Sequence, residues 1–66
     1  MNVVINGQPL TIPDGLTVRS LLEHLEFTAG LVAVEINRAI VPRAEHHAAA
    51  VREDDAIELV QLVGGG

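Results

Sequence analysis

The segment MNVVINGQPLTI (residues 1–12) decides the fold, because it predicts a β-hairpin at the start of the chain. Its centre, Asn6-Gly7, suits a two-residue type I′ turn, in which both central residues need positive φ. This turn sets the register, and the predicted pairs are Ile5–Gln8, Val3–Leu10 and Met1–Ile12. One face of the hairpin then collects five apolar side chains, which we assign to the core: Met1, Val3, Ile5, Leu10 and Ile12.

A helix is predicted next, within LTVRSLLEHLEF (residues 16–27). Apolar residues recur there at i, i+3, i+4 and i+7, the spacing of one helical stripe, at Val18, Leu21, Leu22 and Leu25. Thr17 is the expected N-cap, with Asp14 as the alternative. Gly30 marks a break in the chain beyond the helix.

The second half of the chain predicts three more strands. In LVAVEINRAIV (residues 31–41), apolar residues alternate through Val32, Val34 and Ile36, and Asn37-Arg38 then turns into a short strand that Pro42 ends. The segment RAEHHAAAVRED is less regular, and we expect a short helical turn around residues 44–50. The last strand lies in DDAIELVQLV, with Ile57 and Leu59 directed to the core.

A hairpin, a crossing helix and returning strands predict a mixed sheet that packs on one helix. We therefore expect an α+β fold of the β-grasp, or ubiquitin-like, type, with a sheet of four to five strands and one main helix. The expected domain spans residues 1–63. Residues 64–66 are expected to form a flexible C-terminal glycine tail.

Composition limits the function. The formal net charge of −5 argues against a nucleic-acid partner and favours a partner with a basic surface. The chain has no Cys, which excludes disulfides and thiolate metal sites. The start of the chain has no signal-peptide pattern, and no run approaches the ~20 apolar residues of a membrane span, so we expect a cytoplasmic protein without a membrane segment.

Few side chains of the predicted domain suggest catalysis. The acidic residues Glu53, Asp54 and Asp55 are consecutive, so their carboxylates diverge, and we expect a solvated turn. His46-His47 lacks the i, i+4 spacing of helical metal-binding pairs, and Ser20 has no histidine placed to act as its base. We therefore expect no metal site, no catalytic residue and no enzymatic activity of the chain itself.

The final strand carries apolar residues on its outward face. If Ile57 and Leu59 point inward, Val60 and Leu62 point outward, next to the glycines. Such a surface is typical of a partner contact, for which Val60, Leu62 and Val63 are the candidates. The alternative is that a loop covers it.

The chain closes on Gly64, Gly65 and Gly66. Three residues without Cβ form a narrow arm that can enter a slot admitting only backbone. The α-carboxylate of Gly66 would be ionised at neutral pH and is a poor electrophile, so a reaction at this group needs activation, most simply adenylation with ATP. An acyl-adenylate could then accept a thiol, a lysine amine or sulfide. Ordinary fraying of a terminus is the alternative.

These residues together carry a family resemblance over essentially the whole chain. The sequence resembles the ThiS family, the small sulfur-carrier proteins of thiamin (thiazole) biosynthesis, in MNVVINGQPL, TVRSLLEHL, VAVEINRAIVPRAEH and DDAIELVQLVGGG. The most specific pieces are VEIN…IVPR and IELVQLVGGG. Two positions depart from the family pattern: Asp54 stands where glycine is frequent, and His46 where an aromatic residue is common.

The resemblance implies a chemical cycle at Gly66. A ubiquitin-activating-like adenylyltransferase of the ThiF type would use ATP to form the acyl-adenylate of Gly66, while the carrier itself binds no cofactor. Sulfur from a cysteine desulfurase would convert Gly66 to a thiocarboxylate (1-thioglycine). Thiazole synthase of the ThiG type would receive that sulfur, and Gly64 and Gly65 would give slender access to the active sites.

Other functions stay open at this point. The carrier could deliver sulfur to molybdopterin, to cysteine synthesis or to tRNA. It could instead be a non-covalent ubiquitin-like binding module with an inert tail, or a modifier that is conjugated to lysines.

Overall fold

The computed structural model describes residues 1–62, which fold into five strands and one α-helix. In chain order the elements are β1 (Asn2–Ile5), β2 (Gln8–Thr11), α1 (Val18–His24), β3 (Leu31–Ile36), β4 (Ala39–Val41), a 3₁₀ turn (Arg43–Glu45) and β5 (Ala56–Leu62). The sheet order is β2-β1-β5-β3-β4, with β1 and β5 parallel and the other neighbours antiparallel. The predicted α+β fold, a mixed sheet with one main helix, is confirmed.

The hairpin has the predicted turn and register. Asn6 and Gly7 have φ values of 50° and 80°, and Val3 pairs with Leu10 as the turn requires. The assignment of Leu10 to the core is wrong, because its side chain is 39% exposed. The reason is its position, since β2 is an edge strand and all four of its residues are exposed.

Helix α1 begins at a reciprocal cap. The Thr17 hydroxyl accepts a hydrogen bond from the Ser20 backbone N–H at 3.2 Å, and the Ser20 hydroxyl accepts one from the Thr17 N–H at 2.7 Å. This capping box satisfies two backbone donors that the first turn would otherwise leave unpaired, and it confirms Thr17 as the N-cap. The predicted stripe faces the sheet, with Val18 and Leu21 fully buried.

The core lies between α1 and the inner face of the sheet, and it is aliphatic. Alternate residues of β1, β3 and β5 point into it, and the segment after the 3₁₀ turn adds Val51. Its buried members are Val3, Ile5, Ile12, Val18, Leu21, Val34, Val51, Ile57 and Leu59. The opposite, outer face of the sheet remains open along residues 1–62, because the helix packs on one side.

Two polar residues are buried beside this core. Asp55 accepts hydrogen bonds from the Asn37 side-chain amide at 3.0 Å and from the Arg52 N–H at 2.7 Å. The expectation of a solvated turn therefore holds for Glu53 and Asp54, which are exposed, and is wrong for Asp55. His46 is also buried, with its Nε2 3.1 Å from the Val41 carbonyl oxygen. Its ring lies in the interior, which suits a position where an aromatic residue is common.

Asp54 adopts a left-handed backbone conformation, with φ of 66°. This conformation favours glycine and costs a residue with a Cβ about 1 kcal/mol, less for Asp than for most. It gives a physical reason for the frequency of glycine at this position in the family that the sequence resembles.

The stability of Asp54 variants should therefore follow the tolerance of the new residue for positive φ. Asp54→Gly should raise the free energy of unfolding by up to about 0.5 kcal/mol, and Asp54→Val should lower it by about 1–2 kcal/mol. Urea denaturation followed by circular dichroism measures both. Equal stability of the glycine and valine variants would contradict the left-handed conformation.

Gly30 combines a positive φ with a close contact at the end of β5. Its φ is 72°, and a Cβ built on it would lie 3.2 Å from the Leu62 carbonyl oxygen. Gly15 has a similar φ of 80°, but its Cβ would meet nothing within 4 Å.

Gly30→Ala should therefore lower the free energy of unfolding more than Gly15→Ala does. We expect a loss of about 1–2 kcal/mol at Gly15, from backbone strain alone, and about 1 kcal/mol more at Gly30, because the strand end must shift. Matched urea denaturation curves test this difference. If the two variants lose equal stability, the contact with Leu62 does not constrain the strand end.

Candidate functional site: the outer sheet face and the end of β5

The end of β5 is held on one side by a long strand pairing. β5 pairs with β3 over six residues, from Ile57 opposite Ile36 to Leu62 opposite Leu31. Its parallel pairing with β1 is much shorter, with Val4–Ala56 and Ile5–Ile57 as its residue pairs. The C-terminal half of β5 is therefore attached to the sheet mainly through β3.

A side chain extends the short pairing with β1. The Asn6 amide donates to the Leu59 carbonyl oxygen at 3.2 Å, and its Oδ1 accepts from the Leu59 N–H at 2.8 Å. The side-chain amide of Asn6 thus takes the place of a backbone peptide group in the pairing with β5. Sequence reasoning identified Asn6 only as a turn residue, and no local pattern could show its contact with a residue 53 positions away.

The end of β5 is also fixed to the segment before β3. The Gln61 side-chain amide donates to the Ala29 carbonyl oxygen at 2.8 Å. Together with the close approach of Gly30 to Leu62, this contact ties β5 to the loop that follows α1. The segment that leads to the glycines thus starts from an anchored point.

Exposed apolar side chains lie on the outer face at this end of the sheet. Val60 and Leu62 are 56% and 50% exposed, so their predicted outward direction is confirmed. Leu31 lies directly opposite Leu62, and Ala33 opposite Val60. These four residues, which we call the outer patch, form a continuous apolar surface on two neighbouring strands.

Sequence reasoning missed the contribution of β3 to the outer patch. The alternation in LVAVEI that buries Val34 also places Leu31 and Ala33 on the opposite face, so the signal was present. What the sequence did not show is that these residues pair with Leu62 and Val60. The role of Val60 and Leu62 as partner contacts stays a prediction, and Val63 lies outside the described residues.

An acidic row borders the outer patch. Glu35 and Glu58 lie directly opposite each other, one row of the sheet away from Ala33 and Val60. Ile40, which is 77% exposed, pairs with Glu35 on the same face. Within residues 1–62 the ion pair is that of the Met1 amino group with Asp14, so no described cation pairs with either glutamate. Arg38 lines the same shallow pocket as the two glutamates, so the border carries a net negative charge of one. The face therefore offers apolar area with an acidic border, which complements a partially basic apolar surface.

The other candidate groups do not form a reactive cluster in the described part of the chain. The Ser20 hydroxyl is engaged in the helix cap, and His46 is buried while His47 is exposed. Residues 1–62 contain no group of three His, Cys, Asp or Glu that could hold a metal ion. No helix in that range is long and apolar enough to cross a membrane. The predicted reactive residue Gly66 and its neighbours Gly64 and Gly65 lie outside the described residues.

Known proteins with the same organisation were found by comparison of the sequence and the structure. The ThiS family model matches residues 3–66. The sulfur carrier protein ThiS of Escherichia coli is 36% identical over 66 residues, which span all of both chains. The crystal structure of the thiamine biosynthesis protein ThiS from Geobacter metallireducens superposes with a TM-score of 0.84, at 35% identity and with full coverage of both chains.

A larger relative contains a similar domain. The thiazole synthase of Magnetococcus marinus is 42% identical over 66 residues, and this chain spans 20% of the length of that protein. The family model, the Escherichia coli carrier and the solved structure each match nearly the whole chain, and the solved structure shares its fold. The chain therefore belongs to the ThiS family, the sulfur carrier proteins of thiamine biosynthesis.

Proposed function

We propose that this ThiS-family carrier holds its sulfur on Gly66, as a C-terminal thiocarboxylate. The observation that carries the proposal is the anchored end of β5, which is followed by Val63 and three glycines. Hydrogen bonds of Gln61 and Leu59 hold that strand end in place. The four residues after Leu62, if extended, span about 13 Å at roughly 3.3 Å per residue. A fixed base, with an arm whose last three residues lack a Cβ, suits delivery of one terminal group into the active site of another protein.

The chemistry at Gly66 has two balanced steps. The carboxylate oxygen attacks the α-phosphorus of ATP, which gives the acyl-adenylate and releases pyrophosphate. A sulfide sulfur then attacks the acyl carbon, the bond from that carbon to the AMP oxygen breaks, and AMP leaves. The product is a thiocarboxylate, a nucleophilic sulfur held on a tether. We propose that this cycle takes place in the cytoplasm, where ATP is available.

The proposed partners act on that one group. An adenylyltransferase of the ThiF type would perform the activation. A cysteine desulfurase would be the sulfur source, and a thiol reductant would release the sulfur of its persulfide as sulfide, forming a disulfide. Thiazole synthase of the ThiG type would accept the sulfur. The occurrence of a similar domain within the thiazole synthase of Magnetococcus marinus supports this last partnership. Because the enzymes supply the catalytic groups, the carrier acts as their protein substrate.

The outer patch is proposed as the contact surface for the adenylyltransferase. Its residues Val60 and Leu62 lie four and two positions before Gly64, so a partner that binds them would also have Gly66 within reach. Exposed apolar area of this kind on a small monomer is typical of an interaction site. We propose the same role for Val63, which stands between Leu62 and the glycines in the sequence.

Formation of the thiocarboxylate is measured by intact-mass spectrometry. After incubation with the adenylyltransferase, ATP and sulfide, the mass should rise by the difference between one sulfur and one oxygen atom. A chain that lacks Gly66 should keep its mass, and omission of ATP should have the same effect. If the Gly66-deleted chain still gains sulfur, Gly66 is not the carrier residue. Adducts of much higher mass would instead indicate conjugation to other proteins.

A matched pair of leucine substitutions tests the outer patch. Leu62→Thr should raise the KM of the adenylyltransferase for the carrier about tenfold, because the variant loses a central apolar contact. Leu10→Thr removes a comparably exposed leucine from the edge strand and should change KM less than about twofold. Urea denaturation checks that both variants remain folded. An equal effect of the two substitutions would show that the outer patch has no specific role.

A further inference from the structure

A groove lies on the helix side of the molecule, on the face opposite the outer patch. It has a volume of about 630 Å³ and runs between α1 and residues 43–47. Leu22, Phe27 and Val32 form apolar parts of its lining, and all three are half-buried against the core. Phe27 is the single Phe of a chain that has no Trp or Tyr. Neither the core nor the proposed chemistry at Gly66 requires this groove to stay open.

Two arginines line the groove from its opposite walls. Arg19 extends from α1, and Arg43 from the 3₁₀ turn, and both are exposed. They are half of the four cationic side chains in a chain with nine acidic ones, and the single carboxylate of the lining is that of Glu23. Neither guanidinium pairs with a carboxylate of residues 1–62. The groove is thus locally positive on a protein that is strongly acidic.

Backbone hydrogen bonds hold the two walls of the groove together. The Arg19 N–H donates to the His46 carbonyl oxygen at 2.9 Å, and the Val18 N–H donates to the Ala49 carbonyl oxygen at 2.9 Å. The His46 ring is buried, and its contact with the Val41 carbonyl oxygen fixes the end of the 3₁₀ segment to β4. Both arginines therefore stand on backbone whose positions are fixed before any partner binds, which lowers the entropic cost of binding.

The groove also reaches the base of the tail. Gly30 belongs to its lining, and a Cβ on Gly30 would lie 3.2 Å from the Leu62 carbonyl oxygen. Leu62 is the last described residue before Val63 and the glycines. A protein that accepts the tail is therefore in a position to contact the groove as well, on the side of the molecule that the outer patch leaves free.

We propose that this groove is a second docking site, which binds an acidic, partly apolar peptide segment of thiazole synthase. The guanidinium groups of Arg19 and Arg43 would bind carboxylates, and Leu22, Phe27 and Val32 would contact the aliphatic side chains between them. The inference rests on the proposed function, since it assigns the groove to the partner that receives the sulfur. The two partners then use opposite faces: an apolar, acid-bordered face for activation, and an arginine-lined groove for sulfur delivery.

The binding test uses the complete chain and purified thiazole synthase in isothermal titration calorimetry. The double variant Arg19→Gln/Arg43→Gln should raise the Kd for thiazole synthase about tenfold, because two partly exposed charge pairs are lost. The control Arg38→Gln/Arg52→Gln carries the same net charge but leaves the groove intact, and its Kd should change less than about twofold. An equal rise of the Kd in both variants would show that the effect comes from the overall charge of the protein, and it would overturn the proposal.

A peptide probe tests the chemistry of the ligand. The probe is an acetylated synthetic peptide of alternating glutamate and leucine, and its control has glutamine in place of glutamate. In heteronuclear NMR spectra the glutamate peptide should shift the backbone signals of Leu22, Phe27 and Val32, and the glutamine peptide should not. Inorganic phosphate is titrated in parallel. Equal shifts with phosphate, or with the glutamine peptide, would contradict an acidic peptide segment as the occupant.

The failure of this inference can be distinguished from failure of the proposed function. The Arg19→Gln/Arg43→Gln chain should still gain sulfur on Gly66 at the wild-type rate, since activation uses the other face. Slower activation with unchanged affinity for thiazole synthase would overturn the assignment of the groove. Absence of sulfur gain in the wild-type chain would instead refute the carrier chemistry at Gly66, whatever the binding data show.

Discussion

The structure depends on the insertion of the last strand into the middle of the sheet. β5 lies between β1 and β3, so the first and the last strands of the chain are direct neighbours. Without β5 the hairpin and the β3–β4 pair would be two separate ribbons, each with an unpaired edge and half a core. The same strand buries Ile57 and Leu59 and is followed in sequence by Val63 and the glycines. Fold completion and presentation of the tail are therefore one event, because both require β5 in place.

Polar side chains take the role that disulfides or large aromatic residues have in many small domains. The Asn6 amide completes the edge of β5 at Leu59. Asn37 and Asp55 link the β3–β4 turn to the start of β5, through Asp55 Oδ1 and the Ala56 N–H. Each of these contacts satisfies backbone or side-chain groups where the pairing of β5 would otherwise leave them open. They act at the start and in the middle of β5, the strand whose position matters most.

The two faces of the molecule differ in their charged and apolar side chains. The outer sheet face combines the outer patch with the glutamate row of Glu35 and Glu58, while the helix side carries Arg19 and Arg43 over an apolar groove floor. Both regions meet at the end of β5, where Leu62 pairs with Leu31 of the outer patch and its carbonyl oxygen lies close to Gly30 of the groove. A carrier that must leave one enzyme and enter another benefits from such a division, because each partner recognises a different charge pattern near the same arm.

Local chemistry explains how much of this protein was predictable. The turn at Asn6-Gly7, the cap at Thr17, the helical stripe and the alternation of β5 all depend on neighbours in sequence, and each has the predicted form. The outward direction of Val60 and Leu62 followed from the same alternation. The family resemblance, together with the closing glycines, was likewise contained in the sequence, because motif and composition are local properties.

Tertiary structure decided what depends on contacts between distant residues. It left Leu10 exposed on an edge strand, buried Asp55 and His46, and joined Leu31 to Leu62 in the outer patch. It also brought Arg19 and Arg43 to one groove, although they belong to different elements. Sequence periodicity assigns a residue to a face of its own helix or strand, but it does not tell which elements become neighbours. Only the packing of β5, α1 and the 3₁₀ segment could determine those contacts.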